Sequence, residues 1–142
     1  MSQLVPPHGS KELKPLLILK EDRAAKLARA KLLSKVTMTS REMSNLLLFS
    51  MGAYTPLDGF MGEADWRAVC TELKLANGLF WPIPITLSIS VEFANKIKSD
   101  EEVALIDGET HTVMAILTVS ECYPPIAHLF FVVWYPASRV KP

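Results

Sequence analysis

The sequence predicts an α+β domain, with helices in the first half of the chain and strands in the second. Between residues 21 and 75, apolar residues recur at helical spacing in three segments. From Trp81 onward, apolar and polar residues alternate strictly, and an Asp-Gly pair then lies between two apolar runs. This order favours a small, curved sheet, mixed or antiparallel, that is either open or closed as a barrel. The length of 142 residues suits one domain with its own core.

The first 20 residues are predicted to be extended, because three prolines and Gly9 interrupt them. A helix should follow Glu21 and Asp22, since acids favour a helix N-terminus. The predicted apolar face of this helix comprises Ala24, Ala25, Ala28 and Leu32. The predicted solvated face comprises Lys26, Arg29, Lys31 and Lys35.

A short strand is predicted at Val36–Met38, followed directly by a second helix. Thr39-x-x-Glu42 has the spacing of a capping box that begins this helix, and Gly52 supplies its stop signal. The run Tyr54–Phe60 has turn chemistry, because proline fixes one dihedral, aspartate bonds nearby backbone and glycine accepts a positive φ. A third helix is predicted from Glu63 to about Leu75.

The clearest predicted strand is Trp81–Ser90, which has the period of a half-buried strand. Pro82 and Pro84 remove two backbone donors from the same lateral edge. This part of the strand should therefore be a sheet edge, a bulge or a neighbour to solvent.

The last third of the chain predicts a hairpin. A short helical or irregular stretch is expected at Val91–Lys98. Asp107-Gly108 then separates apolar runs at Val103–Ile106 and His111–Val119, and this dipeptide is a strong hairpin signal.

The chain is neutral overall but its charges are unevenly placed. It holds 15 Lys and Arg against 15 Asp and Glu, which removes the usual electrostatic reason to expect nucleic-acid or anionic-membrane binding. Residues 1–36 hold eight basic residues against three acidic, whereas residues 57–110 hold four against ten. Such opposed regions can pair within one fold or with a neighbour.

Cysteine usage and hydropathy indicate the cytoplasm. Cys70 and Cys122 have no Cys or His nearby at metal-ligand spacing, so free, buried thiols in a reducing compartment are expected. The apolar run Leu16–Leu19 is too short for the hydrophobic region of a signal peptide. The run Ile126–Tyr135 is about half of the roughly 20 residues that span a bilayer, so no membrane association is expected.

Few patterns in the sequence suggest catalysis. Glycine-rich phosphate loops, dinucleotide fingerprints and Gly-x-Ser-x-Gly do not occur. His8, His111 and His128 lie far apart without a second ligand at helical spacing, which favours structural roles, although packing explains His8 least. The triplet Asp100–Glu102 is interpreted as a solvated turn rather than a cation site.

Two further features concern the middle of the chain. The turn at Pro56–Phe60 fixes the orientation of Asp58 and Phe60, so it either displays them to a partner or serves the turn alone. Trp66 and Trp81 are expected to fill the core, as large aromatic residues at periodic positions usually do.

Three segments carry recognisable motifs: LVPPHG at residues 4–9, GAYTPLDGFMGEADW at residues 52–66 and ANGLFWPIPIT at residues 76–86. Their order and spacing resemble the N-terminal part of the ATP sulfurylase (sulfate adenylyltransferase) family, from about Gln3 to Tyr123. The residues carrying the resemblance, interpreted as structural or interface residues, are Pro7, His8, Gly9, Pro56, Leu57, Asp58, Gly59, Phe60, Asn77, Gly78, Trp81, Pro82 and Pro84.

The resemblance implies a PUA-like domain, a small mixed β-barrel with flanking helices that precedes a nucleotidyltransferase domain. That second domain binds Mg-ATP and sulfate and forms adenosine 5′-phosphosulfate and pyrophosphate. Its Gln-x-Arg-Asn, His-x-x-His and Gly-Arg-Asp-His motifs do not occur in this sequence. No catalytic, metal-binding or cofactor-binding residue is therefore assigned to this chain, which is not expected to be active alone.

The resemblance implies a supporting role, with a catalytic sulfurylase domain or other subunits as partners. PUA-like folds also occur in RNA-binding proteins, so a stand-alone module for RNA or a protein partner is an alternative. Zero net charge and the lack of interleaved basic and aromatic residues argue against nucleic acid. Sulfurylase activity would require a partner that supplies the motifs.

After Tyr123 the sequence departs from the polar, His-containing continuation that the family has. We therefore divide the chain into a domain at residues 1–123 and a divergent apolar tail at residues 124–142. A truncated or frame-shifted gene is one interpretation of the tail. An extra strand at Leu129–Tyr135 is the other, because its residues are β-branched and aromatic.

Overall fold

A computed structural model describes residues 5–124 of the chain. Its elements, in chain order, are α1 (Arg23–Ala30), β1 (Ser34–Met38), α2 (Ser40–Ser50), α3 (Glu63–Glu72), α4 (Val91–Ala94), β2 (Glu102–Asp107) and β3 (Val113–Thr118). The predicted α+β class is confirmed. The strand expected at Leu129–Tyr135 lies outside the described residues, as does His128.

The strands form one mixed sheet in the order β1-β2-β3. β1 runs parallel to β2, with Ser34 opposite Val103, and β2 runs antiparallel to β3, with Glu102 opposite Thr118. The parallel pair needs a long crossover, which residues 39–101 provide. Within residues 5–124 the sheet is open, with β1 and β3 at its edges, so the predicted barrel closure is not observed.

The prediction of a strand at Trp81–Ser90 is wrong. The segment joins no strand ladder. Pro82 and Pro84 have no N–H to donate, and Ser88 donates its N–H to the Glu42 carboxylate at 2.7 Å. The backbone donors that a ladder requires are therefore missing or used by a side chain.

The central strand β2 is buried on both faces, which explains its nearly continuous apolar sequence. Val103 and Leu105 pack with Val36 and Met38 of β1, whereas Ala104 and Ile106 pack with Ala30 of α1.

Helix α1 packs through a different face from the predicted one. Ala30 is its buried residue, whereas Ala24, Ala25, Ala28 and Leu32 are exposed. Eight residues make little more than two turns, so only the end of the helix nearest β1 reaches the sheet. The basic residues are exposed as predicted, and Arg29 donates from Nε to Glu102 Oε2 at 2.9 Å.

The capping box of α2 is confirmed. The N–H of Glu42 donates to Thr39 Oγ1 at 3.3 Å, and the N–H of Thr39 donates to Glu42 Oε2 at 2.8 Å. After the helix, Gly52 has φ +77°, and a Cβ there would lie 3.0 Å from the backbone nitrogen of Pro15. Glycine is therefore required where the first segment crosses the end of α2.

The hairpin between β2 and β3 is confirmed, with residues 108–112 as its loop. The Asp107 carboxylate accepts the Thr110 hydroxyl at 2.6 Å and the N–H of Glu109 at 3.3 Å. These hydrogen bonds, chiefly that of the hydroxyl, lower the pKa of Asp107. A Cβ on Gly108 would lie 2.6 Å from the carbonyl oxygen of Met38, so glycine permits the close approach of β1.

Candidate functional site

The first and third motif segments meet at His8. Its Nε2 lies 2.7 Å from the carbonyl oxygen of Phe80, which accepts the hydrogen bond, and its ring centroid is 6.2 Å from that of Trp81. The next residue, Gly9, has φ +64°, and a Cβ there would collide with the Leu79 side chain. His8 and Gly9 therefore fasten the beginning of the chain to the segment before Trp81.

The Asn77-Gly78 turn is fixed on α3. Asn77 Oδ1 accepts the N–H of Leu79 at 3.0 Å, and Asp65 of α3 accepts the N–H of Ala76 at 2.8 Å. Gly78 has φ +86°, a conformation that glycine adopts without steric cost. Asn77 and Gly78 are therefore suited to a tight turn.

The turn at Pro56–Phe60 lies between the core and the extended segment at the beginning of the chain, which we call the first segment. Its Leu57 is buried, and the Phe60 ring packs edge-on against Phe49 at 5.4 Å. Asp58 is exposed and forms an ion pair with Lys14. The turn thus holds one side chain in the core and ties another to the first segment.

Aromatic residues join these segments into one core. Tyr54 packs edge-on against Phe49 at 5.0 Å and against Trp81 at 6.1 Å. Its hydroxyl donates to Asn45 Oδ1 at 2.8 Å, and burial raises its pKa. The predicted core positions of Trp66 and Trp81 are confirmed, since each is 8% exposed.

The residues that carry the resemblance, here called the signature residues, occupy the following positions. Leu57, Phe60 and Trp81 pack in the core, His8, Gly9, Asn77 and Gly78 form hydrogen bonds or tight turns, Asp58 makes an ion pair, and Pro7, Pro56, Gly59, Pro82 and Pro84 flank these contacts.

Sequence reasoning missed the burial of Glu42, which is 1% exposed. Its carboxylate accepts the Thr39 N–H and hydroxyl at 2.8 Å each, and the Ser88 N–H at 2.7 Å. The capping-box spacing indicated the contact with Thr39. The contact with Ser88 had no local signal, because 46 residues separate it from Glu42.

A second missed arrangement lies at the N-terminus of α3. Glu121 Oε1 accepts the N–H of Glu63 at 2.9 Å, so a distant carboxylate caps the helix. The Tyr123 hydroxyl donates to the carbonyl oxygen of Met61 at 2.9 Å, and its ring lies 5.5 Å from that of Trp66. Residues 121–123 are therefore packed on the helix.

We expect the domain to lose stability at alkaline pH because of Tyr123. Burial, and then the charge of Glu121, raise its pKa from 10.0 to about 12. Because the folded state favours the neutral phenol, this contribution to the free energy of unfolding is complete below pH 10 and is lost as pH rises towards about 12. Urea unfolding below and above pH 10 measures the loss. In Tyr123→Phe the loss should be smaller, and an equal loss would contradict the assignment.

A cleft of about 670 Å³ is lined by residues of the aromatic core and of the sheet. Its apolar lining includes Val36, Phe60, Trp66, Leu87, Phe93 and Leu117. Two of the motif segments reach this cleft, since Phe60, Met61, Gly62 and Trp66 of residues 52–66 and Thr86 of residues 76–86 contribute to its lining.

The uneven charges pair partly within the fold. Lys14 contacts Asp58 and Arg29 contacts Glu102, so two residues of the basic region meet two of the acidic region. In the turn predicted at Asp100–Glu102, Glu101 accepts the N–H of Lys98 at 3.1 Å. These contacts neutralise part of the charge difference between the two regions.

Between residues 5 and 124 the possible metal ligands form no cluster and the cysteines form no disulfide. No three His, Cys, Asp or Glu side chains in this range lie close enough to hold a metal ion. Both cysteines are free, but only Cys70 is partly buried, and burial raises its pKa. Cys122 is exposed, so its predicted burial is wrong.

The helices between residues 5 and 124 are all too short or too polar to cross a membrane.

Comparison with known proteins identifies the domain. The family model of the PUA-like domain matches residues 5–130. The sulfate adenylyltransferase of Syntrophobacter fumaroxidans is 52% identical over 124 residues, which are 87% of this chain and 30% of that protein. That of Thiobacillus denitrificans is 49% identical over 123 residues, with the same coverage of each.

A solved structure shares the fold. The hexameric APS kinase from Thiobacillus denitrificans has a TM-score of 0.74 and 34% identity, over 86% of this chain and 24% of that one. This chain thus spans about 30% of the length of the curated relatives that it matches. The chain belongs to the PUA-like domain family, in the form that sulfate adenylyltransferases have as their N-terminal domain.

Proposed function

We propose that this chain acts as the supporting domain of a sulfate adenylyltransferase and contributes no reacting group itself. The observation that carries the proposal is the set of contacts that the signature residues make within the fold. His8 bonds a backbone carbonyl, Asp58 pairs with Lys14, and Trp81 packs in the core. Residues engaged in this way hold three segments together.

The chemistry of adenylyl transfer supports the same division of labour. Sulfate attack on the α-phosphate of Mg-ATP places negative charges together, so the site needs several cationic and hydrogen-bonding groups. In this chain Lys14 and Arg29 face carboxylates within the fold. We therefore assign Mg-ATP and sulfate to the part of the relatives beyond the matched domain.

The charge balance of the chain weighs against an RNA-binding module. The net charge of the chain is zero, basic and aromatic residues do not interleave, and two of the basic residues, Lys14 and Arg29, contact acidic partners. A cytoplasmic location is part of the proposal and is supported by the two free thiols.

A domain exchange tests the proposed function. Residues 1–124 of this chain would replace the matching domain of the Syntrophobacter fumaroxidans sulfate adenylyltransferase. Pyrophosphate release from Mg-ATP and sulfate should stay within about tenfold of that of the unmodified enzyme, an activation difference of roughly 1.4 kcal/mol. The isolated chain, assayed as the control, should release none. A folded but inactive chimera, or an active isolated chain, would overturn the proposal.

A further inference from the structure

Four consecutive apolar residues lie exposed in the first segment of the chain. Leu16, Leu17, Ile18 and Leu19 are 40%, 73%, 47% and 63% exposed, and we call them the apolar strip. Contiguous exposed apolar surface is uncommon on self-sufficient domains and marks an interaction site. Leu32 and Val91 are also exposed, but they lie singly elsewhere in the chain.

The strip is attached to the core rather than loosely extended. The N–H of Leu16 donates to the carbonyl oxygen of Phe49 at 3.1 Å, and the N–H of Lys14 donates to Thr55 Oγ1 at 2.9 Å. The Lys14 side chain also pairs with Asp58. A surface whose backbone is already held loses less conformational entropy when a partner binds.

Gly52 supports this attachment. Its positive φ and the 3.0 Å that would separate a Cβ from the Pro15 nitrogen show that the first segment lies directly on the end of α2. The exposed side chain of Met51 stands next to this crossing. The apolar surface therefore begins at a fixed point of the fold.

We propose that the apolar strip is the surface on which the catalytic remainder of a sulfate adenylyltransferase docks. This proposal rests on the proposed function. The matched relatives devote 30% of their length to this domain, so most of their chain lies outside it and must meet it somewhere. A domain taken from a longer chain exposes the surface that the rest of the chain covers.

The side chains in and beside the strip indicate what kind of surface its partner needs. Large aliphatic side chains require an apolar groove. Lys20 directly follows the strip and is exposed, whereas Lys14, near its other end, is already paired with Asp58. The groove should therefore carry a carboxylate at the end nearest Lys20, where its charge is complementary to this lysine.

The chimera tests this proposal with two matched variants. The double variant Leu17→Glu/Leu19→Glu places two charges on the two most exposed residues of the strip, and Leu32→Glu/Val91→Glu places two charges on exposed apolar residues elsewhere. The strip variant should lose at least about tenfold in pyrophosphate release, since a burial free energy of roughly 1.4 kcal/mol suffices for that change. It should also unfold in two transitions, whereas the control variant should match the parent chimera.

The remaining outcomes separate the two proposals. In the isolated chain the strip variant should keep the parent's urea midpoint, because its side chains are already exposed; a lowered midpoint would overturn the docking role. Concentration-dependent dimers of the isolated chain that the strip variant abolishes would assign the strip to a second copy and overturn the proposal. An active chimera that tolerates the strip variant would overturn the strip proposal alone. An inactive parent chimera would overturn the proposed function as well.

Discussion

Replacing Trp81 by Ala is expected to lower the free energy of unfolding by about 4 kcal/mol, as for other buried large aromatic residues. Trp81 is 8% exposed and packs against Tyr54 and His8, so its removal opens a cavity between two motif segments. Urea denaturation followed by far-UV circular dichroism measures the change.

Trp81→Phe is the matched control. It keeps an aromatic ring and part of the volume, so it should cost about 1–2 kcal/mol. A loss below about 1 kcal/mol in Trp81→Ala would mean that the residue is not a core anchor.

Replacing Glu42 by Ala is expected to cost about 3 kcal/mol, because the partly buried N–H groups of Thr39 and Ser88 lose a charged acceptor, and a hydrogen bond to a charged group contributes about 1.5–3 kcal/mol. The side chain connects the start of α2 to the irregular segment after Trp81. The same urea experiment measures this change.

Two variants show whether the carboxylate is responsible. Glu42→Gln retains one carbonyl acceptor and should lie between the parent and Glu42→Ala. Ser88→Ala keeps the backbone N–H that bonds Glu42, so it should change stability by less than about 0.5 kcal/mol. A Glu42→Ala variant as stable as Ser88→Ala would contradict the role of the buried carboxylate.

Elements specified by neighbouring residues were predictable from the sequence. The capping box at Thr39, the end of α2 at Gly52 and the hairpin around Asp107-Gly108 all follow from residues within a few positions of each other. Even so, Gly108 serves the close approach of β1 as well as the turn, and only the parallel pairing of β1 with β2 shows this.

Elements that depend on distant partners were not predictable. Trp81–Ser90 alternates like a strand, but its prolines and the Glu42 carboxylate remove it from the sheet. The cap that Glu121 provides for α3 crosses 58 residues. The first helix was assigned the wrong face because a short alanine-rich helix has several similar faces, and the sheet selects Ala30.

The candidate site was predictable as a set of residues but not as an arrangement. The motifs indicated which residues matter, and His8 had no packing explanation in the sequence alone. The structure supplies one, since its ring bonds the Phe80 carbonyl oxygen and lies beside Trp81.

His8 therefore offers the most direct test of the claim that the signature residues support the fold and take no part in catalysis. The measurement is kcat, at a temperature where the protein is fully folded, for the chimera carrying His8→Ala, together with its Tm. We expect a lower Tm and an unchanged kcat, because the imidazole holds a backbone carbonyl. A kcat reduced by about a hundredfold, roughly 2.7 kcal/mol of activation free energy, at an unchanged Tm would contradict it.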